Sequence, residues 1–222
     1  AHLERWFNVG NEVLEPRTLH IWVPEEPVDH VLYVHDGQNL FDPEAIWGGW
    51  RLQDVAPPGM LLVGIDNTAA RMDEYTHTKD DIGEVVGGQA DEYGRMVQEA
   101  IRPLVREQYG ESGPVGVMGS SLGGLISLYF AHAYPEEYDF AASLSGTVGW
   151  GSIGMHNPTI IELMAKDGHG PVPLYVDSGG NGTCEDADGD GIQDDAADGA
   201  DNYCENIQLR DTRSEEHTSE LQ

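Results

Sequence analysis

Six short apolar runs recur along the 222-residue chain: TLHIWVP (18–24), HVLYVHD (30–36), MLLVGID (60–66), PVGVMG (114–119), FAASLSG (140–146) and PLYVDSG (173–179). The central runs are apolar at consecutive positions rather than at alternate ones, the pattern of strands buried on both faces of a parallel sheet. Between them lie segments with helical spacing. Residues 90–110 carry apolar side chains on one face and close on Gly110, 121–135 form a second helix and 202–211 a third. Alternation of strands and helices predicts an α/β domain with a mainly parallel central sheet flanked by helices. The length suits one such domain with a sizeable core, and no internal repeat interrupts it.

The formal net charge is −29, and Lys79 and Lys166 are the only lysines. Phosphate binding needs a basic face, so this balance argues against a nucleic-acid partner and an anionic membrane surface. No apolar run approaches the roughly 20 residues of a membrane span. The opening AHLERWFNVG has neither a basic nor an apolar leader region, so an export signal is not visible in it.

The chemistry is concentrated in VMGSSLGGL (117–125), where Gly119, Ser121 and Gly123 make G-x-S-x-G between a predicted strand and a predicted helix. A serine on that sharp turn projects its hydroxyl from the sheet edge, and its neighbours must be small. Gly119, Gly123 and Gly124 meet the demand. Ser121 is therefore the candidate nucleophile. The N–H of Leu122, at the helix start, is a candidate donor to a developing oxyanion.

Four blocks in order, LYVHDGQNLFD (32–42), VGIDN with RMDEY (63–75), GGQADEYGRMVQEAIRPLVREQY (87–109) and the segment 117–146, resemble the putative-esterase family of α/β-hydrolases. That family contains enterochelin, feruloyl and acetylxylan esterases and mycolyltransferases. The resemblance spans most of residues 15–212. It implies an α/β-hydrolase fold and a Ser–His–acid mechanism on a small-molecule or polysaccharide-linked ester, with no cofactor for catalysis. It also implies that the N–H of Gln38, in the HDGQ loop, is the second oxyanion donor. Arg71, Glu74 and Tyr75 fit the family's R-x-x-E-Y pattern, for which a structural ion pair is the expected role. The triad acid should follow a late strand and precede a helix. Asp201 is the expected acid, and Asp177 is the alternative.

An acidic insert, about 181–200, separates that strand from the helix. Its run Asp186, Asp188, Asp190, Gly191, Ile192, Asp194 resembles calcium loops with oxygen ligands at positions one, three, five, seven (a carbonyl) and nine. It departs at position twelve, where Ala197 stands and Asp198 comes one residue late. A structural Ca²⁺ is expected, against the alternative of a solvated acidic loop. Cys184 and Cys204, the only cysteines, bracket the insert. A disulfide between them is expected, and with it a secreted or periplasmic location.

A catalytic histidine is harder to place. In the order Ser, acid, His only His217 follows Asp201, and it lies in RSEEHTSELQ (213–222), which equals the in-frame translation of a common sequencing-library adapter. Residues 213–222 are therefore read as non-native. The family's last strand, histidine and closing helix are expected beyond Thr212, and a chain without them is expected to turn over esters poorly. His35, at a strand end, reads as a loop-bonding residue. His132 lies about three turns from Ser121. Two other readings stay open: an acyltransferase on the same site, and a calcium-dependent binding or adhesion module with a vestigial site.

Overall fold

The computed structural model describes residues 1–168, 170–194 and 202–219, with side chains described as far as Arg213. Seven strands form one sheet in the order β1-β2-β4-β3-β7-β8-β9. They are β1 (His2–Val9), β2 (Arg17–Val23), β3 (His30–His35), β4 (Met60–Ile65), β7 (Val115–Ser120), β8 (Phe140–Leu144) and β9 (Leu174–Asp177). β1 and β2 are antiparallel to their neighbours; from β4 to β9 every pairing is parallel. A small hairpin, β5 (Lys79–Asp81) with β6 (Val85–Gly87), stands apart. This is the mainly parallel α/β architecture expected of α/β-hydrolases.

The continuous apolar runs do what their pattern requires. In β3, Val31 and Tyr33 enter the main core while Leu32 and Val34 enter a second core on the opposite face. In β4, Leu61, Val63 and Ile65 take the first face and Leu62 the second. After the one-turn helix α1 (Arg71–Glu74), the main core is closed by α2 (Ala90–Met96), which passes through a π turn (Val97–Ile101) into α3 (Arg102–Tyr109), and by α4 (Leu122–Ala133) on β7 and β8. The second core is covered by residues 37–56, a loop with three 3-10 turns.

β1, both hairpin strands, α1 and α5 had no counterpart in the sequence reading. β1 carries His2, Glu4 and Arg5 and leaves Leu3 and Phe7 exposed, so its apolar alternation is broken. The hairpin strands span three residues each. α5 (Ile160–Asp167) did carry a readable signal: Thr159 and Glu162 form a reciprocal capping box. The last helix, α6 (Tyr203–Ser219), runs on past Asp211, where the sequence reading ended it.

Candidate active site

β7 delivers the chain to Ser121, and α4 carries it away. Between them Ser121 adopts φ 55°, ψ −126°, a conformation that costs a non-glycine residue about 1–3 kcal/mol. Surrounding bonds hold it there. Ser121 N–H donates to Leu144 O (3.1 Å), and Ser121 O accepts from Gly124, Leu125 and Thr147 N–H (3.0, 3.1 and 3.1 Å). The predicted need for small neighbours is met in space. A Cβ on Gly119 would collide with the Gly123 carbonyl, and one on Gly124 would lie 2.5 Å from Ser143 Oγ. The Ser121 side chain is exposed at the C-terminal end of β7. Leu122 opens α4, where the first N–H groups have no partner within the helix.

The HDGQ loop lies beside this turn. Gln38 sits in a 3-10 turn (Gly37–Asn39) introduced by Asp36 in the left-handed region, φ 61°. A Cβ on Gly123 would lie 3.2 Å from Asp36 Oδ2 and 3.4 Å from His35 Cβ, which sets the end of β3 against the first turn of the helix after β7. Gly37 packs flush on β4, since a Cβ there would lie 2.6 Å from Gly64 C. Asp36 is clamped by Arg71, whose Nε and Nη2 donate at 2.8 Å each, and by Asn67 Nδ2 at 2.6 Å. Its own N–H donates to Tyr75 Oη (3.3 Å), and Asn67 N–H donates to Gln38 Oε1 (3.2 Å). Burial works against the Arg71 charge, but the Asp36 carboxylate outweighs it and moves the guanidinium pKa up. Glu74 forms a buried two-bond pair with Arg17 at 3.0 Å. The expected ion pairs are present, and two of the R-x-x-E-Y residues, Arg71 and Tyr75, hold the HDGQ loop through Asp36, while Glu74 pairs with Arg17 of β2.

Each histidine whose side chain is described has a partner other than Ser121. His35 is fully buried, bonded through Nδ1 to Tyr93 Oη (2.9 Å), so its bond runs to α2 rather than to the loop. Burial pushes its pKa down to about 3, leaving a neutral ring. His132 pairs with Asp167 at 3.2 Å, and eleven residues of helix put it roughly 16 Å from Ser121. His20 pairs with Asp66, His156 with Asp190, His30 with Asp29, His2 with Glu4, and His77 with the Pro158 carbonyl. His169, the side chain of His217, and Asp201 lie outside the described residues.

Asp177 ends β9, where its carboxylate accepts from Tyr175 Oη (3.2 Å) and its carbonyl from Ser145 N–H (2.8 Å). It shapes the loop after β8. The chain entering α6 and its first turn dock on the same loop: Asn202 Nδ2 donates to Ser145 O (3.1 Å) and Asn206 Nδ2 to Gly146 O (2.8 Å). Two further residues were missed from sequence. Thr147 Oγ1 lies 3.3 Å from Ser121 Oγ. Buried Asp80 accepts backbone N–H bonds from Asp81, Gly151, Ile153, Gly154 and Met155, at 2.6–3.0 Å. Nothing local marks either, because their partners are remote in sequence or are backbone.

The acidic insert is stapled by a Cys184–Cys204 disulfide (Cα–Cα 5.3 Å). Carboxylate oxygens of Asp186, Asp188 and Asp194 lie within 4.8 Å of one another, as do ligand atoms of His156, Asp188 and Asp190. Gly191 has φ 96°, and Ile192 plugs into the main core. Ala197 and Asp198 lie outside the described residues.

The profile of the family described as "Putative esterase" matches residues 12–211. The chain belongs to this family. The uncharacterized protein YbbA of Bacillus subtilis (strain 168) is 31% identical over 123 residues, 52% of this chain and 49% of that protein. Among solved structures, an IroE-like serine hydrolase from Shewanella oneidensis superposes with TM-score 0.65 at 21% identity, over 79% of this chain and 60% of that one. Enterochelin esterase from Shigella flexneri gives 0.60 at 20%, over 78% and 44%. Ferric enterobactin esterase from Salmonella typhimurium gives 0.64 at 19%, over 96% and 50%. At such identities these structures attest the α/β-hydrolase-like fold. The chain spans about half the length of the relatives it matches.

Proposed function

We propose that the protein is a serine carboxylic ester hydrolase working through an acyl-enzyme, on a small-molecule or polysaccharide-linked ester. Ser121 is the nucleophile, the N–H groups of Leu122 and Gln38 form the oxyanion hole, and Asp201 orients a histidine base. The observation that carries this reading is the strained, exposed Ser121 at the strand-to-helix turn, beside a separately clamped loop bearing a second donor. In the first step Ser121 Oγ attacks the ester carbonyl and gives its proton to the base. The carbonyl oxygen gains charge between the two N–H groups, and the alcohol leaves with that proton. Water then repeats the sequence on the acyl-serine. Each donor in such a hole is worth roughly 10²–10³ in rate. The test is stoichiometric release of p-nitrophenol from p-nitrophenyl acetate: Ser121→Ala should abolish the burst, and an undiminished burst would refute the nucleophile.

The insert supports a second proposal, a structural Ca²⁺ held by Asp186, Asp188, Asp190, Asp194 and the Ile192 carbonyl. The residues fit a hard cation: three carboxylates converge within 4.8 Å, and Gly191 supplies the sharp turn. The disulfide closing the same segment supports an oxidising compartment, secreted or periplasmic. Ca²⁺ at about 100 times its Kd should add roughly 2.7 kcal/mol to stability. Asp188 belongs to both clusters of ligand atoms, so Asp188→Asn should erase the Ca²⁺-dependent rise in melting temperature; a rise that persists would mean that the ion binds elsewhere.

A further inference from the structure

The loop after β8 reaches the candidate nucleophile through one residue. Thr147 Oγ1 lies 3.3 Å from Ser121 Oγ, and Thr147 N–H donates to Ser121 O at 3.1 Å. The second bond ties the Thr147 backbone to the turn itself, so its hydroxyl arrives beside that of Ser121 without a separate search. The loop is also fixed from behind. Ser145 N–H donates to Asp177 O, Ser145 Oγ accepts from Gly179 N–H, and Asn202, just before α6, and Asn206, within it, donate to the carbonyls of Ser145 and Gly146.

We propose that Thr147 is a positioning residue that selects the reactive rotamer of Ser121, a role that rests on the reading of Ser121 as nucleophile. An exposed serine has three staggered χ1 wells, and only one can place Oγ for attack on a carbonyl held in the oxyanion hole. A hydrogen bond from Thr147 Oγ1–H to one lone pair of Ser121 Oγ favours a single well. It also leaves the Ser121 proton free for a base and the second lone pair free for attack. Thr147 takes no proton and touches no substrate in this role.

The test uses the 222-residue chain and does not depend on turnover. Three-bond Hα–Hβ couplings of Ser121 report its χ1 directly. A single rotamer is expected in the wild type and in Thr147→Ser, and averaged couplings in Thr147→Val, which keeps the shape but loses the hydroxyl. Labelling of Ser121 by a fluorophosphonate should slow roughly tenfold in Thr147→Val, the effect of one hydrogen bond, and stay near wild type in Thr147→Ser, with melting temperatures unchanged. A single rotamer retained in Thr147→Val, averaging already present in the wild type, or Thr147→Ser as impaired as Thr147→Val would each overturn the proposal. Labelling unaffected by Ser121→Ala would sink the nucleophile reading instead, and the couplings would still report on Thr147.

Discussion

Ser121 owes its position to what surrounds it rather than to its own preference. A serine at φ 55° is disfavoured, and it persists because the two sides of the turn are pinned to Leu144 and Thr147 and because glycines give the helix room. The HDGQ loop depends on the same economy of space. Gly37→Ala would push a methyl group onto the Gly64 backbone, and an urea midpoint lower by the equivalent of about 1–3 kcal/mol is expected. His35 behaves as a neutral core residue. The unfolded chain takes up a proton near pH 6.5 and the folded His35 only at about 3, so between those values the unfolded state binds more protons and stability rises with pH. That contribution is complete above pH 6.5. At pH 5 its loss should reach about 2 kcal/mol. The difference between wild type and His35→Leu in urea midpoints at pH 7 and pH 5 measures it; an identical pH dependence in both proteins would show that His35 titrates normally.

At the scale of elements, β3, β4 and β7 were legible because burial on both faces leaves a run of consecutive apolar residues. The strand-to-helix turn at Ser121 was legible because its small-residue spacing is local. β1 was not, since an edge strand half in solvent tolerates charged residues on both faces, Glu4 on one and Arg5 on the other. Thr147 was not, because its proximity to Ser121 arises from β7 and β8 pairing in parallel, a tertiary fact. The clamp of Arg71 on Asp36 spans 35 residues and was readable only as a family pattern. α6 buries Leu209 in the main core and is tied to the insert by the Cys184–Cys204 bridge and by Gln208, which bonds Gln193 N–H and Gly191 O. Replacing both cysteines by serine opens a loop of 20 residues and should lower stability by up to roughly 3 kcal/mol in the chain-entropy model, read as a fall in urea midpoint. No change in midpoint would mean that the insert is held by its other contacts alone.

The whole molecule carries a net charge of −29, and like charges at that density repel. Their repulsion acts over about a Debye length, roughly 10 Å at 0.1 M salt. The melting temperature should therefore climb between 10 mM and 500 mM NaCl; a fall would mean that surface ion pairs outweigh the repulsion. Against this acidic background stands the proposed acyl-transfer centre: the strained Ser121, the N–H groups of Leu122 and Gln38 proposed as its donors, and the loop after β8 that Asn202 and Asn206 hold. The measurement that tests this account most directly is the site of fluorophosphonate modification, found by intact mass and peptide mapping after prolonged incubation. A single adduct on Ser121, absent from Ser121→Ala and never on the neighbouring Ser120, is the predicted result. An adduct on Ser120 or elsewhere, or one that survives Ser121→Ala, would contradict the account.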